Sequence, residues 1–295
     1  MSDAQSRPVV VVTGANGFVG ARTCRALLQR GATVRGVVRR GGTAPAGVEE
    51  HVGEFHDPAF AATFTAAADA VVTTVHPMGS DRATQERIGV AGTTVVARAA
   101  AEAGVDRLVH VSTAAVYDRS PEAGDVDEDA PLVGDDGNDY AVTKRDTDAA
   151  IARVDGLTRV LVRPPAILGP GETSVWNTLR PQGFRDDPAE RRAHPDQTFA
   201  WVHVDDLAAF LADLAAGAAG PAAGGCTPVN LAAEPTPART YWETVAAAVE
   251  ARPEWIEGPA WTGRIVADRA RSWGWSPTVD LDRAMAELTD GLAAR

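Results

Sequence analysis

Short runs of β-branched residues alternate with longer amphipathic stretches through the first half of the chain. Val9–Thr13, Thr33–Val38, Ala70–Val75, Arg107–Ser112 and Arg159–Arg163 read as strands. Apolar residues at helical spacing fill Phe18–Arg30, Pro58–Ala67, Asp81–Ala103 and Asp139–Val154. Strands separated by helices of this length imply parallel crossovers. The pattern therefore predicts an α/β fold, a doubly wound parallel sheet covered on both faces. Beyond residue 167 the rhythm is lost. Leu168–Ala200 is rich in proline, glycine and charge and reads as one long loop. Val204–Ala216 reads as a helix, Pro228–Leu231 as a last strand, and Arg239–Ala251 and Leu281–Ala293 as closing helices. The chain thus divides into a sheet-forming part, residues 1–167 with 201–234 returning to it, and a small, mainly helical C-terminal region, 168–200 with 235–295.

Composition removes several functional classes. A net charge of −12 over 295 residues argues against a nucleic-acid groove and against general affinity for an anionic membrane. No apolar run approaches the ~20 residues of a membrane span. Cys24 and Cys226 form no metal-ligand pattern, so no metal site is expected and a reducing cytoplasm suits the chain. Met1–Pro8 is polar and lacks the apolar core of a signal peptide. All seven tryptophans lie at or after position 176. They read first as a small aromatic core, with Trp176 and Trp201 as the two that would line an apolar substrate pocket.

The connection from the first strand to the first helix is Thr13-Gly14-Ala15-Asn16-Gly17-Phe18-Val19-Gly20. Gly14 permits a tight turn, Gly17 lets the backbone approach a pyrophosphate, and Gly20 lets the helix pack closely on the sheet. The helix start adds free N–H donors and a partial positive charge. The sheet is therefore of Rossmann type, with a dinucleotide at the carboxyl ends of its strands. The second strand ends in Val37-Val38-Arg39-Arg40, with no acid to bond a ribose 2′-hydroxyl. Two guanidinium groups suit a 2′-phosphate, so NADP is expected ahead of NAD. Gly53-Glu54-Phe55 follows a third strand, which places Glu54 and Phe55 beside the adenine. Thr74, at the end of the next strand, joins the expected cofactor contacts.

Tyr140-Ala141-Val142-Thr143-Lys144 opens a helix, and a spacing of four puts Tyr140 and Lys144 on one face. Lys144 is the only lysine among 28 basic residues. In a chain that otherwise uses arginine, a retained lysine points to a chemical requirement. A free tyrosine titrates near ~10, and a nearby ammonium is expected to lower that value enough for acid–base work. Ser112-Thr113 closes the strand that begins at Arg107. A hydroxyl at that carboxyl end can bond a reacting oxygen, with Thr113 the first choice and Ser112 the second.

These segments resemble the extended short-chain dehydrogenase/reductases, the NAD-dependent epimerase/dehydratase group. The likeness extends to Arg163-Pro164-Pro165-Ala166-Ile167-Leu168-Gly169-Pro170-Gly171, to Val202-His203-Val204-Asp205-Asp206-Leu207 and to Trp273-Gly274-Trp275-Ser276-Pro277. It implies Tyr140 as proton donor or acceptor, Lys144 on the nicotinamide ribose, and Thr113 holding the reacting oxygen. It also places Pro164, Ala166 and Ile167 beside the nicotinamide, and has His203, Asp205 and Asp206 brace the fold. A homodimer through the Asp81–Ala103 and Asp139–Val154 helices is part of the same implication.

Departures narrow the expectation. Ala114-Ala115 follow Thr113 where sugar-nucleotide dehydratases carry Asp-Glu, so that dehydration lacks its acid and base. Ala166 stands where many sugar-nucleotide enzymes carry asparagine. Gly89-Val90-Ala91-Gly92-Thr93 lacks the family's leading asparagine. Val75-His76-Pro77-Met78 is similar to the Ala-Thr-Pro-Met of dihydroflavonol-reductase-like members, which turns His76 toward a substrate. The expected activity is an NADP-dependent carbonyl reductase or alcohol dehydrogenase acting on a small molecule held between the sheet and the 168–200 loop plus C-terminal helices. A nucleotide-sugar epimerase, with Arg180, Arg185, Arg191 and Arg192 on a diphosphate, is one alternative. A non-catalytic NADP sensor is the other.

Overall fold

A computed structural model describes residues 7–294. The Met1–Ser6 part of the polar N-terminus lies outside them. Two compact units are present. One comprises the chain up to Val116, Val133–Arg163 and Ala208–Val229; the other comprises Tyr117–Leu132, Pro164–Leu207 and the chain from Asn230 onward.

The first unit is the sheet. Its strands are β1 (Val9–Thr13), β2 (Thr33–Val38), β3 (Glu49–Val52), β4 (Ala70–Thr73), β5 (Arg107–Val111), β6 (Thr158–Arg163) and the strand Cys226–Asn230. Their spatial order is Cys226–Asn230, β6, β5, β4, β1, β2, β3. β1 pairs in parallel with both β2 and β4, and the order reverses on either side of it. That reversal opens the crevice where ligands of doubly wound sheets bind. β4 and β6 are buried along their whole length, and β6 takes Arg159 and Arg163 into the interior with it.

Helices α1 (Phe18–Gln29), α2 (Pro58–Thr65), α3 (Arg82–Thr84), α4 (Gly92–Glu102) and α5 (Asp139–Ala152) connect these strands. Phe55, Phe64, Val96, Leu108, Ile151 and Leu161 share one buried cluster, so α2, α4 and α5 pack on one layer of core. Each such side chain contributes roughly 1.5–3 kcal/mol through burial.

Several boundaries differ from the sequence pattern, each for a local reason. β4 stops at Thr73 because Thr74 turns back onto β1: its Oγ1 donates to the Thr13 carbonyl at 2.7 Å. α2 stops at Thr65, and Ala67 takes a left-handed φ of 52°. The expected single helix over Asp81–Ala103 is interrupted by a π-helical turn, Gln85–Ala91.

The second unit holds most of the tryptophans. Leu168, Phe184, Phe199, Trp201, Tyr241, Trp242 and Leu288 form its core. Ala166–Leu168 pairs with Trp201–His203, so both segments group here. The expected 168–200 loop contains ordered helical turns. Ser174 caps one by accepting from the Asn177 N–H at 3.2 Å, and Arg180–Asp186 continues as a helix. Pro181 and Pro188 lie in first turns, where a missing N–H costs nothing, so the composition concealed helix starts.

Asp206 braces this unit as the family likeness implied. Its carboxylate accepts from the Thr278 N–H at 3.1 Å, from the Thr278 hydroxyl and from the Val279 N–H at 3.2 Å. Asp206→Ala leaves those donors without a partner and is expected to lower stability by roughly 3 kcal/mol. Urea unfolding followed by tryptophan fluorescence checks this, since the tryptophans report on the second unit. An unchanged midpoint would remove Asp206 from the structural account.

Candidate active site

The glycine turn is shaped as its spacing required. Gly14 has a φ of +69°, and a Cβ there would meet Thr74 Oγ1 and Val75 Cγ2 at 2.9 Å each. A Cβ on Gly20 would fall 2.1 Å from the Gly14 carbonyl oxygen, so α1 packs against the turn only without one. Gly17 is the N-cap residue of α1 and makes no side-chain cap, which leaves the first N–H groups of the helix for a ligand. This backbone cradle fits a dinucleotide pyrophosphate. Thr74 supports it through its bonds to Thr13.

The loop after β2 is also ordered. Glu50 accepts backbone N–H bonds from Gly42 at 2.7 Å, Thr43 at 2.8 Å and Ala44 at 2.7 Å. Those bonds hold the Glu50 carboxyl below its usual range. Asn16 Nδ2 donates to Thr43 Oγ1 at 3.2 Å, which ties the loop to the glycine turn. Arg39 and Arg40 are exposed beside it, and Glu54 is exposed further along. Phe55 is buried in this unit's apolar cluster, so its side chain belongs to the core.

The reaction centre forms where the end of β5 meets α5. Asn138 caps that helix by accepting from the Ala141 N–H at 3.0 Å, which sets Tyr140 in its first turn. Three successive residues at the end of β5 then meet three residues spaced by four on α5. Val111 accepts through its carbonyl from Lys144 Nζ at 2.8 Å. Ser112 lies near the Asp148 carboxylate and lowers its pKa, and Thr113 lies near Tyr140 and lowers the phenol's. Both hydroxyls are buried at this strand end.

Asp148 was not singled out from the sequence. It pairs with Arg163 at 3.0 Å, and both are buried. Burial raises the Asp148 carboxyl, while Arg163, Ser112 and Lys144 pull it back. Lys144 is 3% exposed. Burial lowers its pKa from 10.5 to about 8, and Asp148 opposes that fall. A spacing of four from Tyr140 through Lys144 to Asp148 was the available signal.

The expected lowering of the Tyr140 pKa is corrected. Burial raises it, the bond from Thr113 offsets part of the rise, and Asp148 adds to it. The Lys144 ammonium points at the Val111 carbonyl and leaves the balance to desolvation. Two histidines, half-buried His76 and buried His110, add no charge. His76 is lowered to about 3 by burial and then by Lys144. His110, bonded through Nδ1 to Thr73 Oγ1 at 2.8 Å, is lowered well below 6.5 for the same reasons. The site therefore holds a phenol that keeps its proton, backed by a buried cation.

Several of the remaining expected residues belong to the second unit. His76 does stand at the site, with its ring edge-on to Tyr140. Trp201 does not: it is 2% exposed in the second unit's core, with Nε1 donating to the Glu234 carbonyl at 2.9 Å. Trp176 packs against Phe199 and Tyr241 in the same unit. Pro164, Ala166 and Ile167 also belong to that unit. Phe18 carries the Arg22 guanidinium over its ring, and Val19 lies in the first turn of α1. Among the described residues, no group of His, Cys, Asp or Glu is arranged to hold a metal ion, and no helix is long and apolar enough to cross a membrane.

A parallel sheet with this turn at its switch point defines a dinucleotide-binding α/β protein. The chain belongs to the NAD dependent epimerase/dehydratase family, which matches residues 10–224. It is 32% identical over 187 residues to a 4-hydroxy-2-methyl-3-oxo-4-farnesyl-3,4-dihydroquinoline-1-oxide ketoreductase of Stigmatella aurantiaca, covering 59% of this chain and 56% of that protein. It is 30% identical over 214 residues to a ceramide reductase of Caulobacter vibrioides, covering 70% and 60%. The matches thus span little more than half the length of these relatives. A short-chain dehydrogenase/reductase superfamily protein of Agrobacterium tumefaciens, solved with bound NAD, has the same fold at a TM-score of 0.76 and 23% identity, with 96% of each chain covered.

Burying Lys144 gives stability a defined pH dependence. Its folded pKa of about 8 lies below its ordinary 10.5, so between these values the unfolded chain binds more protons. Stability contributed by this residue must rise with pH across that window. Wild type compared with Lys144→Met should therefore gain stability from pH 8 toward 10, measured by urea unfolding at each pH. A difference that stays flat would mean that Lys144 is not buried as an ammonium.

Proposed function

We propose that this chain is an NADP-dependent carbonyl reductase or alcohol dehydrogenase of the extended short-chain type. The observation that carries the reading is the buried Lys144 one helical turn after Tyr140 on α5, anchored to the Val111 carbonyl two residues before Thr113. Thr113 and Tyr140 would supply two hydroxyls to a carbonyl oxygen held there. A bound reduced nicotinamide would supply the hydride to the carbonyl carbon. Tyr140 gives its proton to the oxygen, and the Lys144 charge stabilises the phenolate left behind.

NADP is preferred to NAD on the chemistry of the loop after β2. Arg39 and Arg40 are exposed there, and the Glu50 carboxylate is engaged by three backbone N–H groups. No free carboxylate is left at that position to select a ribose 2′-hydroxyl. The epimerase alternative calls for arginines on a diphosphate. Arg185 pairs with Asp186, Arg191 donates to the Phe184 and Arg185 carbonyls, and Arg192 pairs with Glu254. Arg180 stands over Trp176. These engagements speak for a carbonyl compound rather than a nucleoside diphosphate. A sensor without catalysis would leave the Thr113–Tyr140–Lys144 array without a use.

Two measurements test the reading. Fluorescence titration should show tighter binding of NADPH than NADH, and Arg39→Ala should cost NADPH roughly 1.5–3 kcal/mol while sparing NADH. Equal affinities in wild type would overturn the NADP assignment. NADPH oxidation with a panel of ketones at saturating cofactor should fall at least ~10²-fold in Tyr140→Phe. Thr113→Ala should also slow turnover, and Thr113→Ser should do so less. Wild-type turnover in Tyr140→Phe with normal NADPH binding would end the mechanism.

A further inference from the structure

His76 and Gly89 compete for one space beside Tyr140. The His76 ring stands edge-on to the Tyr140 ring, with centroids 5.3 Å apart and planes at 79°. Its Nε2 lies 3.0 Å from Gln85 Oε1. That amide is oriented from its other end, where Gln85 Nε2 donates to the Ser80 carbonyl at 2.8 Å. An amide oxygen only accepts, so His76 Nε2 carries the imidazole proton and Nδ1 is left as the lone-pair nitrogen. Thr143 Oγ1 lies 3.0 Å from the same Gln85 oxygen, which ties α5 between Tyr140 and Lys144 into the arrangement.

The imidazole also rests on the π-helical turn. A Cβ on Gly89 would approach Nδ1 to 2.7 Å and Cε1 to 2.8 Å, closer than packed atoms come. Gly89 is buried and is not among the glycines with a left-handed φ. Its own backbone gives no reason for glycine, which weakens a helix relative to alanine. The reason lies in the ring that fills the volume. This glycine is also where the chain departs from the family's asparagine, so the imidazole stands where a side chain at 89 would begin.

We infer that His76 is a positioning residue for Tyr140, seated by the absence of a side chain at Gly89 and locked in one tautomer by Gln85. It holds one edge of the phenol ring and keeps water from that side, without touching the reacting oxygen. The inference rests on Tyr140 being the reacting phenol, so its test is read on that side chain without turnover.

The chain has three tyrosines, so 3-fluorotyrosine labelling gives three fluorine signals, and Tyr140→Phe identifies the one wanted. His76→Ala should move the Tyr140 signal more than the other two. It should also lower the Tyr140 titration midpoint by about half a unit or more, because water reaches the phenol. His76→Phe, which restores a ring, should bring the midpoint back toward wild type. In parallel, Gly89→Ala should lower Tm in the wild-type chain and raise it in the His76→Ala chain, where the space is empty and alanine favours the helix. If His76→Ala does not fold, Gly89→Ala alone should displace the ring and shift the Tyr140 signal. An unmoved Tyr140 signal and midpoint, or the same sign for Gly89→Ala in both backgrounds, would overturn the inference. Failure to reduce any ketone would count against the proposed activity and leave these readings intact.

Discussion

One buried ammonium organises the first unit's chemistry. Lys144 reaches across from α5 to the Val111 carbonyl at the end of β5, and burial pulls its pKa down to about 8. Asp148, one turn further along, opposes that fall and is itself kept ionisable by Arg163. The group of charges is strained in the sense that each member is costly without the others. Tyr140 sits one turn before Lys144 and inherits its place from the same helix register. The Asn138 cap matters for this reason, since a helix starting one residue later would rotate all three side chains away from the strand.

The neutral histidines complete that electrostatic arrangement. His110 and His76 both lie within reach of the Lys144 charge, and both are kept uncharged by burial and by that charge. The cation thus acts on a site from which competing positive charge is excluded. A phenol with a raised pKa and a cation behind it is a proton store. In the proposed reduction it would release the proton as an acceptor oxygen begins to carry negative charge, when the Lys144 interaction gains most.

What the sequence made legible was local. The strand, three glycines and helix from Val9 to Gln29 are contiguous, and each glycine answers to a steric limit that its neighbours impose. Tyr140 and Lys144 were legible because four residues is one helical turn. Asp148 was not, because an aspartate in a helix otherwise rich in polar residues resembles a solvated face; its burial depends on Arg163, which arrives from β6. The π-helical turn at Gln85–Ala91 was hidden because apolar spacing does not distinguish one wide turn from a normal one. Trp201 was misplaced toward a pocket because its indole N–H partner, the Glu234 carbonyl, is distant in sequence. The raised Tyr140 pKa escaped for a similar reason. Spacing reports a nearby charge, whereas desolvation depends on everything packed around the phenol.

The state of the single lysine decides whether a buried ammonium backs Tyr140. Labelling the protein with 13Cε-lysine gives one side-chain signal, with no other lysine to confuse it. The expected result is a titration midpoint near about 8 in the free protein and a displaced signal when NADPH is added. A midpoint near 10.5, with no response to NADPH, would contradict both the buried ammonium and its place at the cofactor.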